Sequence, residues 1–248
     1  MKIIILAGGK GTRISEYTKT IPKPMIKINK KPILLHIINH YTKFGFKDFY
    51  IALGYKKNVI TKFFKNFKKI NKPFNFKIKK KKILITLSDT GENTLTGGRL
   101  KRMKKFIKKD ENFMFTYGDG VSNVNLKKLS LFHKKNKKIV TVTAVRPPAR
   151  FGEITIRKQR VTRFKEKPQV TEGWINGGFF VANYKFFNFI KGDKTILEKE
   201  PLEKATYKKQ LYAFMHKGFW KCMDTSRDKK VLEEIYKRNK FNWKKKKF

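Results

Sequence analysis

The sequence predicts an α/β fold in which a mostly parallel mixed sheet is flanked by helices and a smaller sheet lies in the C-terminal half. Apolar runs of strand length alternate with segments of helical periodicity over the first 145 residues, and this alternation is typical of βαβ units. After residue 145, shorter strand-like runs separated by turns replace that pattern. No linker or repeat divides the 248 residues, so we predict a single domain over residues 1–248.

The individual elements follow from these runs. The first helix shows its periodicity most clearly, because its apolar residues recur at i, i+3 and i+4 and Pro32 suits the first helical turn. The predicted strands of the first half are Ile3–Leu6, Asp48–Leu53, Ile83–Leu87, Phe113–Tyr117 and Ile139–Val145, and the helices between them are Pro32–Phe44, Asn58–Phe67, Gly98–Ile107 and Leu126–Lys135. The predicted elements of the second half are the strands Glu153–Ile156, Val161–Phe164, Gly178–Ala182 and Leu211–Phe214, and a helix over Arg227–Lys237.

The net charge of +44 arises from 62 basic and 18 acidic residues and would normally indicate a nucleic-acid partner. However, 52 of the basic residues are lysine, whereas recognition of bases and phosphates relies on the planar fork of arginine. The lysines are spread over the chain and accompany many Phe, Ile and Asn residues, whose codons are also A/T-rich. We therefore attribute most of the charge to an A/T-rich genome and predict no dedicated nucleic-acid partner, although weak binding to polyanions follows from the charge itself.

Cysteine content and hydropathy indicate the compartment. The single cysteine, Cys222, excludes an intramolecular disulfide and suits a reducing cytoplasm; we expect it to be a small buried apolar residue beside Trp220. No apolar run approaches the length of about 18 residues that a transmembrane helix needs. The run Ile3–Ala7 is too short for a signal peptide and ends in glycines. The sequence thus predicts a cytoplasmic protein without membrane contact.

A glycine-rich loop follows the first predicted strand. Residues 6–13 read Leu-Ala-Gly-Gly-Lys-Gly-Thr-Arg, and residues 22–25 read Pro-Lys-Pro-Met. The three glycines let the backbone turn tightly and expose its N–H groups, and Arg13 and Lys23 supply positive charge. The order differs from the dinucleotide-binding and Walker fingerprints, and glycines alone would fit an ordinary turn. With both cations, the pattern favours a site for the phosphates of a nucleotide.

Asp119 is a candidate metal ligand. It follows the predicted strand Phe113–Tyr117 and lies between Gly118 and Gly120, which leave its carboxylate unshielded. Ligands of open α/β sheets lie outside the carboxyl ends of the strands, so Asp119 and the glycine loop should open on the same crevice. An ordinary turn is the alternative interpretation of Gly-Asp-Gly.

Further segments, in order and spacing, carry a family resemblance. Residues 89–92 read Asp-Thr-Gly-Glu, 94–102 Thr-Leu-Thr-Gly-Gly-Arg-Leu-Lys-Arg, 117–120 Tyr-Gly-Asp-Gly, 164–168 Phe-Lys-Glu-Lys-Pro, 174–180 Trp-Ile-Asn-Gly-Gly-Phe-Phe and 223–225 Met-Asp-Thr. Together with the glycine loop they resemble the sugar-phosphate nucleotidylyltransferases over nearly the whole chain. Residues 94–102 and 174–180 resemble the glucose-1-phosphate cytidylyltransferase branch in particular.

The resemblance implies a Rossmann-like fold, with the smaller sheet facing the substrate, and a reaction. Residues 1–145 would bind CTP, and residues 146–248, with the C-terminal helix, would bind α-D-glucose 1-phosphate. Attack of the sugar phosphate on the α-phosphorus would give CDP-glucose and pyrophosphate. The nucleophile is already an anion, so catalysis would consist of positioning and charge neutralisation. The alternatives are a uridylyl- or thymidylyltransferase and, more distantly, a non-catalytic regulatory or polyanion-binding protein of the same fold.

The resemblance also assigns residues. Arg13 and Lys23 would be catalytic, with Arg13 and the loop amides on the β- and γ-phosphates and Lys23 on the α-phosphate. Asp119 and Asp224 would bind Mg²⁺, an ion that prefers all-oxygen ligands. The implied substrate-binding residues are Leu6, Ala7, Gly8, Gly9, Lys10, Gly11, Thr12, Arg13, Lys23, Thr94, Arg99 and Gly118 for CTP, Lys167 for the sugar phosphate, and Glu166, Asn176 and Gly177 for the glucose hydroxyls.

Some features weigh on these assignments. The alternative role for Asp224 is an N-cap of the last helix. The four histidines, His36, His40, His133 and His216, are scattered, and we assign none of them to catalysis. Relatives are homo-oligomers, with hexamers among them, and the resemblance implies the same here. The segment Lys65–Lys82 departs from the family in being short and lysine-rich, which affects a subunit contact or a lid rather than the motifs.

Overall fold

An eight-stranded mixed sheet forms the centre of the computed structural model, which describes residues 1–147, 153–157, 159–165 and 173–238. The strands are β1 Ile3–Leu6, β2 Lys27–Ile28, β3 Lys31–Pro32, β4 Asp48–Leu53, β5 Pro73–Ile78, β6 Lys81–Asp89, β7 Asn112–Tyr117, β8 Gly120–Ser122, β9 Val140–Val145, β10 Glu153–Arg157, β11 Arg160–Lys165, β12 Ile175–Asn183, β13 Leu211–His216 and β14 Trp220–Cys222. The α-helices are α1 Ser15–Thr18, α2 Ile33–Lys43, α3 Lys57–Phe63, α4 Thr96–Arg102, α5 Leu126–Asn136, α6 Glu200–Tyr207 and α7 Ser226–Lys237.

The order of strands in the main sheet is β13-β9-β12-β7-β1-β4-β6-β5. Strand β1 pairs in parallel with β4 and β7, and β4 pairs in parallel with β6. Strands β12 and β5 run in the opposite direction to their neighbours β7 and β6. The carboxyl ends of β1, β4, β6 and β7 therefore meet at one edge, which is where open α/β sheets bind ligands.

Burial on both faces explains why β1 is continuously apolar. Ile3 and Ile5 belong to one core cluster with Ile37 and Tyr41 of α2, and Ile4 belongs to a second cluster on the opposite face. That second cluster contains many of the phenylalanines, including Phe115 and Phe180, whose rings stack with centroids 4.4 Å apart. A strand covered on both faces has no polar side, so period-two alternation is absent.

The structure confirms the predicted fold class and most of the predicted elements. Strands β1 and β4 have the predicted bounds, and β6, β7 and β9 differ from their predictions by a few residues at most. The predicted helix Asn58–Phe67 is shorter, since α3 ends at Phe63. The predicted helix Gly98–Ile107 is α4 followed by a separate 3-10 turn over Lys104–Phe106.

The arrangement predicted for the C-terminal strands is partly wrong. Strands β12 and β13, expected in the smaller sheet, belong to the main sheet, where β12 lies between β9 and β7. Its residues 179–182 are all at most 1% exposed, and an apolar run buried on both faces can only occupy an interior position. Strands β10 and β11 form a separate antiparallel pair. Strands from both sides of residue 145 share the main sheet, so the division into two halves stays a prediction.

Strand β5 was not predicted. It is one of the two edge strands of the main sheet and lies within the lysine-rich segment 65–82. Its Phe74 and Phe76 pack their rings against Phe64, just after α3, while the intervening residues are exposed. Pro73 opens the strand, a position where a residue without an N–H group is tolerated. None of the helices in the described ranges is long and apolar enough to cross a membrane.

Candidate active site

The glycine loop leaves the end of β1 and bends sharply over the edge of the sheet. It continues the sheet for one residue, because the Ala7 N–H donates to the Ala52 carbonyl at 2.9 Å. Gly11 then adopts a left-handed conformation with φ of 64°, which a glycine reaches without strain. The Thr18 hydroxyl donates to the Gly11 carbonyl at 3.1 Å and fixes the bend.

The loop presents unused backbone donors. Within the described part of the chain, the N–H groups of Gly9, Lys10 and Gly11 have no acceptor. Gly9, Lys10, Thr12 and Arg13 are exposed. Successive N–H groups on a tight turn form a concave site for an anion, so this geometry can hold a phosphate chain.

Lys23 lies directly beside the loop and connects it to two carboxylates. Pro22 and Pro24 flank it in a 3-10 turn, which restricts the backbone at this position. Its Nζ lies 2.6 Å from Asp119 Oδ2 and 2.6 Å from Asp224 Oδ1. Arg13 Nη1 also reaches Asp224 Oδ2, at 3.2 Å. The structure thus brings together both predicted catalytic cations and both predicted metal ligands.

A small pair of strands explains how residues far apart in sequence meet. Strands β8 and β14 pair antiparallel, with Gly120 opposite Cys222. Asp119 immediately precedes β8, Asp224 lies two residues beyond Cys222, and the Met223 N–H donates to the Asp119 carbonyl at 3.0 Å. The pairing therefore brings the two carboxylates within reach of the same Lys23 ammonium.

The N-cap of α7 is Thr225, and the alternative role of Asp224 as that cap is wrong. The Thr225 hydroxyl accepts from the Asp228 N–H, and the Asp228 carboxylate accepts from the Thr225 N–H. This reciprocal pair is a capping box. Because Thr225 and Asp228 satisfy the start of the helix, the Asp224 carboxylate is left to bind Lys23 and Arg13.

The charges of this cluster stabilise one another. Burial lowers the pKa of Lys23, but Asp119 and Asp224 outweigh it and the pKa is raised overall. Burial raises the pKa of Asp224, and its hydrogen bond and charge interaction with Lys23 outweigh that effect and lower it. Lys23 and Asp224 are therefore both ionised near neutral pH.

The same geometry fits a divalent cation. The two carboxylate oxygens converge on one positive centre, now the ammonium of Lys23. Across the described ranges, no group of three or more His, Cys, Asp or Glu residues could hold a metal ion. A metal at Asp119 and Asp224 would therefore complete its coordination with substrate and water oxygens, as Mg²⁺ commonly does.

A second polar cluster adjoins the first and contains two of the predicted sugar-binding residues, Asn176 and Gly177. Asn176 Nδ2 donates to the Tyr117 hydroxyl at 3.2 Å, and that hydroxyl donates to Glu198 Oε1 at 2.5 Å. Trp220 Nε1 donates to the Gly177 carbonyl at 2.7 Å. Burial and Glu198 raise the pKa of Tyr117 well above its usual value, so the hydroxyl keeps its proton. Asn176 and Glu198 are exposed and can meet a polar ligand.

The remaining predicted residues differ in their surroundings. Gly118 packs against the Leu6 carbonyl and the Pro24 ring. Thr94 and Arg99 are buried, and Arg99 lies beneath the glycine loop, where it donates to the Gly8 carbonyl at 3.1 Å. Glu166 and Lys167 lie outside the described residues.

Cys222 differs from its prediction. It is half-buried, and its thiol lies 3.5 Å from Asp224 Oδ2. Burial, with the nearby carboxylates, raises its pKa to about 12. It is therefore a protonated neighbour of the acidic cluster and not a core residue.

The nucleotidyl transferase family matches residues 2–233. The chain belongs to this family. As a family member it is a nucleotidyltransferase, and the resemblance to the glucose-1-phosphate cytidylyltransferases is confirmed by the relatives. The glucose-1-phosphate cytidylyltransferase of Salmonella typhimurium is 45% identical over 254 residues, which cover 98% of this chain and 99% of the relative.

Two other nucleotidyltransferases show how far the similarity extends. A mannose-1-phosphate guanyltransferase of Saccharomyces cerevisiae is 32% identical over 239 residues, covering 94% of this chain and 63% of the relative. The structure of a UDP-glucose pyrophosphorylase complexed with UDP-glucose superposes with a TM-score of 0.72 at 16% identity, covering 96% of this chain and 98% of the other. That structural likeness shows the shared fold.

Sequence reasoning missed several residues that contact the candidate site. Glu198 and Tyr117 connect Asn176 to the start of α4, because the Thr96 hydroxyl donates to Glu198 Oε2 at 2.9 Å. Glu198 belongs to no motif, so its sequence context carried no signal. Gly54, at the end of β4, lies against Arg99; a glycine directly after a buried strand was a signal that could have been noticed.

Proposed function

We propose that this chain transfers a cytidylyl group from CTP to α-D-glucose 1-phosphate, giving CDP-glucose and pyrophosphate. The observation that carries the proposal is the convergence of Lys23, Asp119 and Asp224 beside a loop with free backbone donors. The similarity to the Salmonella cytidylyltransferase, which extends over nearly both chains, supports the choice of substrates.

In this proposal the glycine loop and Arg13 hold the β- and γ-phosphates that leave as pyrophosphate. Lys23 meets the α-phosphate, where charge grows in the transition state, and its two carboxylate partners hold the ammonium in place. The sugar phosphate is already an anion and needs no general base. Catalysis then depends on placing two polyanions in line.

Nucleotidyltransferases of this family generally use a divalent metal ion, and we propose Mg²⁺. Asp119 and Asp224 would hold it, and when bound it would neutralise charge on the phosphates of both substrates. Two carboxylates together with phosphate oxygens of the substrates form the all-oxygen ligand set that Mg²⁺ prefers.

The sugar side of the proposal rests on the cluster around Tyr117. Asn176 and Gly177 would contact the glucose hydroxyls, with Glu166, and Lys167 would neutralise the sugar phosphate. Thr94, Arg99 and Gly118 would belong to the CTP side. A cytoplasmic location and a homo-oligomeric assembly are further parts of this proposal.

Release of pyrophosphate from CTP, glucose 1-phosphate and Mg²⁺ tests the proposal. Asp119→Asn and Asp224→Asn should each abolish most turnover while the far-UV circular dichroism and thermal transition remain, because each change removes an anionic ligand and no core packing. Asp110→Asn, an exposed position with a left-handed backbone that asparagine tolerates, should retain wild-type turnover. Full activity of either site variant would refute the metal assignment, and absence of pyrophosphate release by the wild-type chain would refute the function.

A further inference from the structure

Arg99 is a buried cation directly under the glycine loop. It is 3% exposed, although arginine is almost never fully buried without a charged partner. Its Nη1 donates to the Leu53 carbonyl at 2.7 Å, the Thr90 hydroxyl at 2.6 Å and the Gly91 carbonyl at 3.1 Å. Its Nη2 donates to the Gly8 carbonyl at 3.1 Å and the Thr94 carbonyl at 2.7 Å.

These five acceptors come from four separate segments of the site. Gly8 belongs to the glycine loop, Leu53 ends β4, Thr90 and Gly91 follow β6, and Thr94 lies just before α4. One planar guanidinium therefore ties together three strand ends and the approach to a helix. Removing it would take the arginine donor away from the Gly91 and Thr94 carbonyls, and a carbonyl left without a donor in a buried place is costly.

The space for the guanidinium is made by two glycines. A Cβ on Gly8 or on Gly54 would overlap the Arg99 guanidinium. The Gly8 carbonyl also accepts from the N–H of Tyr55, two residues after β4, at 3.0 Å. Arg99 and Tyr55 therefore bind the same oxygen. Gly8 thus makes room for Arg99 and accepts its hydrogen bond, while residues 9–11 of the same loop leave their N–H groups available for an anion.

Among the described residues, no carboxylate accepts a hydrogen bond from Arg99, although the charge of Asp89 favours its ionised form. All five acceptors are neutral oxygens. Burial lowers the pKa of Arg99 to about 10, so the group remains positive at neutral pH. A positive charge in a partly desolvated position attracts a nearby polyanion more strongly than an exposed one does.

We propose that Arg99 is a positioning residue of the nucleotide site, which fixes the Gly8 carbonyl and so orients the loop toward the triphosphate. The inference rests on the proposed function and deepens it. It differs from a contact of Arg99 with the cytosine base, because a positioning role affects the phosphate chain whatever base is attached.

Isothermal titration calorimetry with two probes, CTP and inorganic tripolyphosphate, distinguishes a positioning role from a base contact. In Arg99→Lys, the ammonium has three donors for five acceptors, so both probes should bind at least tenfold more weakly, by similar factors. Thr90→Val removes one acceptor of Arg99 without changing the volume of the side chain much, and should weaken both probes by about threefold. Arg102→Lys, at an exposed arginine paired with Asp193, is the matched control and should change binding less than twofold.

Weaker binding of CTP with unchanged binding of tripolyphosphate would overturn the proposal in favour of a base contact. Unchanged binding of both probes in Arg99→Lys and Thr90→Val would overturn it as well. If Arg99→Lys fails to fold, Thr90→Val alone decides between these results. Failure of the wild-type chain to bind either probe would instead refute the proposed function. In kinetics, Arg99→Lys should raise the KM for CTP more than it lowers kcat.

Discussion

At the scale of single residues, Lys23 acts as the internal counter-ion of the acidic pair. Its side chain is 12% exposed, and those of Asp119 and Asp224 are 27% exposed, so the three charges interact with little screening by water. Without the ammonium, two carboxylates would face one another, and like charges at such proximity repel strongly. A divalent cation could take over the same role.

The variant Lys23→Met should therefore be less stable than the wild type in metal-free buffer, by at least about 1 kcal/mol, which corresponds to about 2–4 °C in Tm for a chain of this size. Mg²⁺ should raise the Tm of the variant more than that of the wild type, because the carboxylates lack their ammonium. Turnover should fall on the order of 10²–10³-fold, as when an oxyanion donor is removed.

Differential scanning fluorimetry with and without Mg²⁺ measures both Tm effects. Lys27→Met, at an exposed position, is a control for loss of a lysine. If Mg²⁺ raises the Tm of Lys23→Met and of the wild type by the same amount, a metal ion does not replace the Lys23 ammonium at the two carboxylates.

At the scale of elements, the start of α7 determines where Asp224 lies. The capping box of Thr225 and Asp228 begins the helix, and Asp228 Oδ2 also accepts from the Asp224 N–H at 3.1 Å. Strand β14 fixes the other side through its pairing with β8. The site therefore depends on a helix cap as well as on its own side chains.

Thr225→Ala should cost about 1 kcal/mol of unfolding free energy, because the Asp228 N–H loses the side-chain oxygen that caps it. Thr225→Ser keeps that oxygen and should lie within about 0.5 kcal/mol of the wild type. Urea denaturation of the three proteins measures the difference. Equal stabilities of the alanine and serine variants would mean that the cap contributes nothing to the fold.

Elements with strong local signals could be predicted from the sequence, and those that depend on long-range pairing could not. β1 and α2 have continuous or periodic apolar residues. The motifs singled out Lys23, Asp119 and Asp224, and the structure brings these three residues together. The position of β12 inside the main sheet depends on partners at both edges, which its own residues do not specify. Arg99 was found through its motif, but its acceptors are mostly main-chain oxygens, which no residue pattern encodes.

At the scale of the whole molecule, buried neutral histidines make stability depend on pH. Burial lowers the pKa of His40 to about 3 and that of His133 to about 4, against 6.5 for an ordinary histidine. The unfolded chain therefore binds more protons than the folded one below pH 6.5. Stability is fully present above pH 6.5 and declines as the pH falls, by about 1.4 kcal/mol per pH unit for each histidine.

His133→Gln tests this dependence, since glutamine stays neutral and can still bond to the Thr141 hydroxyl, which His133 Nδ1 contacts at 2.9 Å. Between pH 6.5 and 5 the variant should lose about 1.6 kcal/mol less unfolding free energy than the wild type. Urea titrations at the two pH values give the comparison, and carboxylates with lowered pKa values, such as Asp224, contribute equally to both proteins. Equal losses would show that folding does not lower the pKa of His133.

The net charge is a second property of the whole molecule, and it need not serve the reaction. Binding to a random DNA duplex should fall steeply as salt rises, with a linear dependence of log affinity on log salt. Electrophoretic mobility shifts between about 50 and 200 mM salt measure the slope. Tight binding that persists at high salt would contradict a purely electrostatic, unselective interaction.

The most direct test of the cytidylyltransferase proposal is to measure kcat/KM for each nucleoside triphosphate. Pyrophosphate release with glucose 1-phosphate as the second substrate gives these values. Cytosine and uracil differ at two positions of their hydrogen-bonding edge, and each mismatch in a buried site costs about 1–3 kcal/mol. We therefore predict that kcat/KM for CTP exceeds that for UTP and dTTP by at least tenfold, with ATP and GTP excluded by size. Comparable values for UTP or dTTP would contradict the cytidylyl assignment and favour a uridylyl- or thymidylyltransferase, and no release from any triphosphate would contradict nucleotidyl transfer itself.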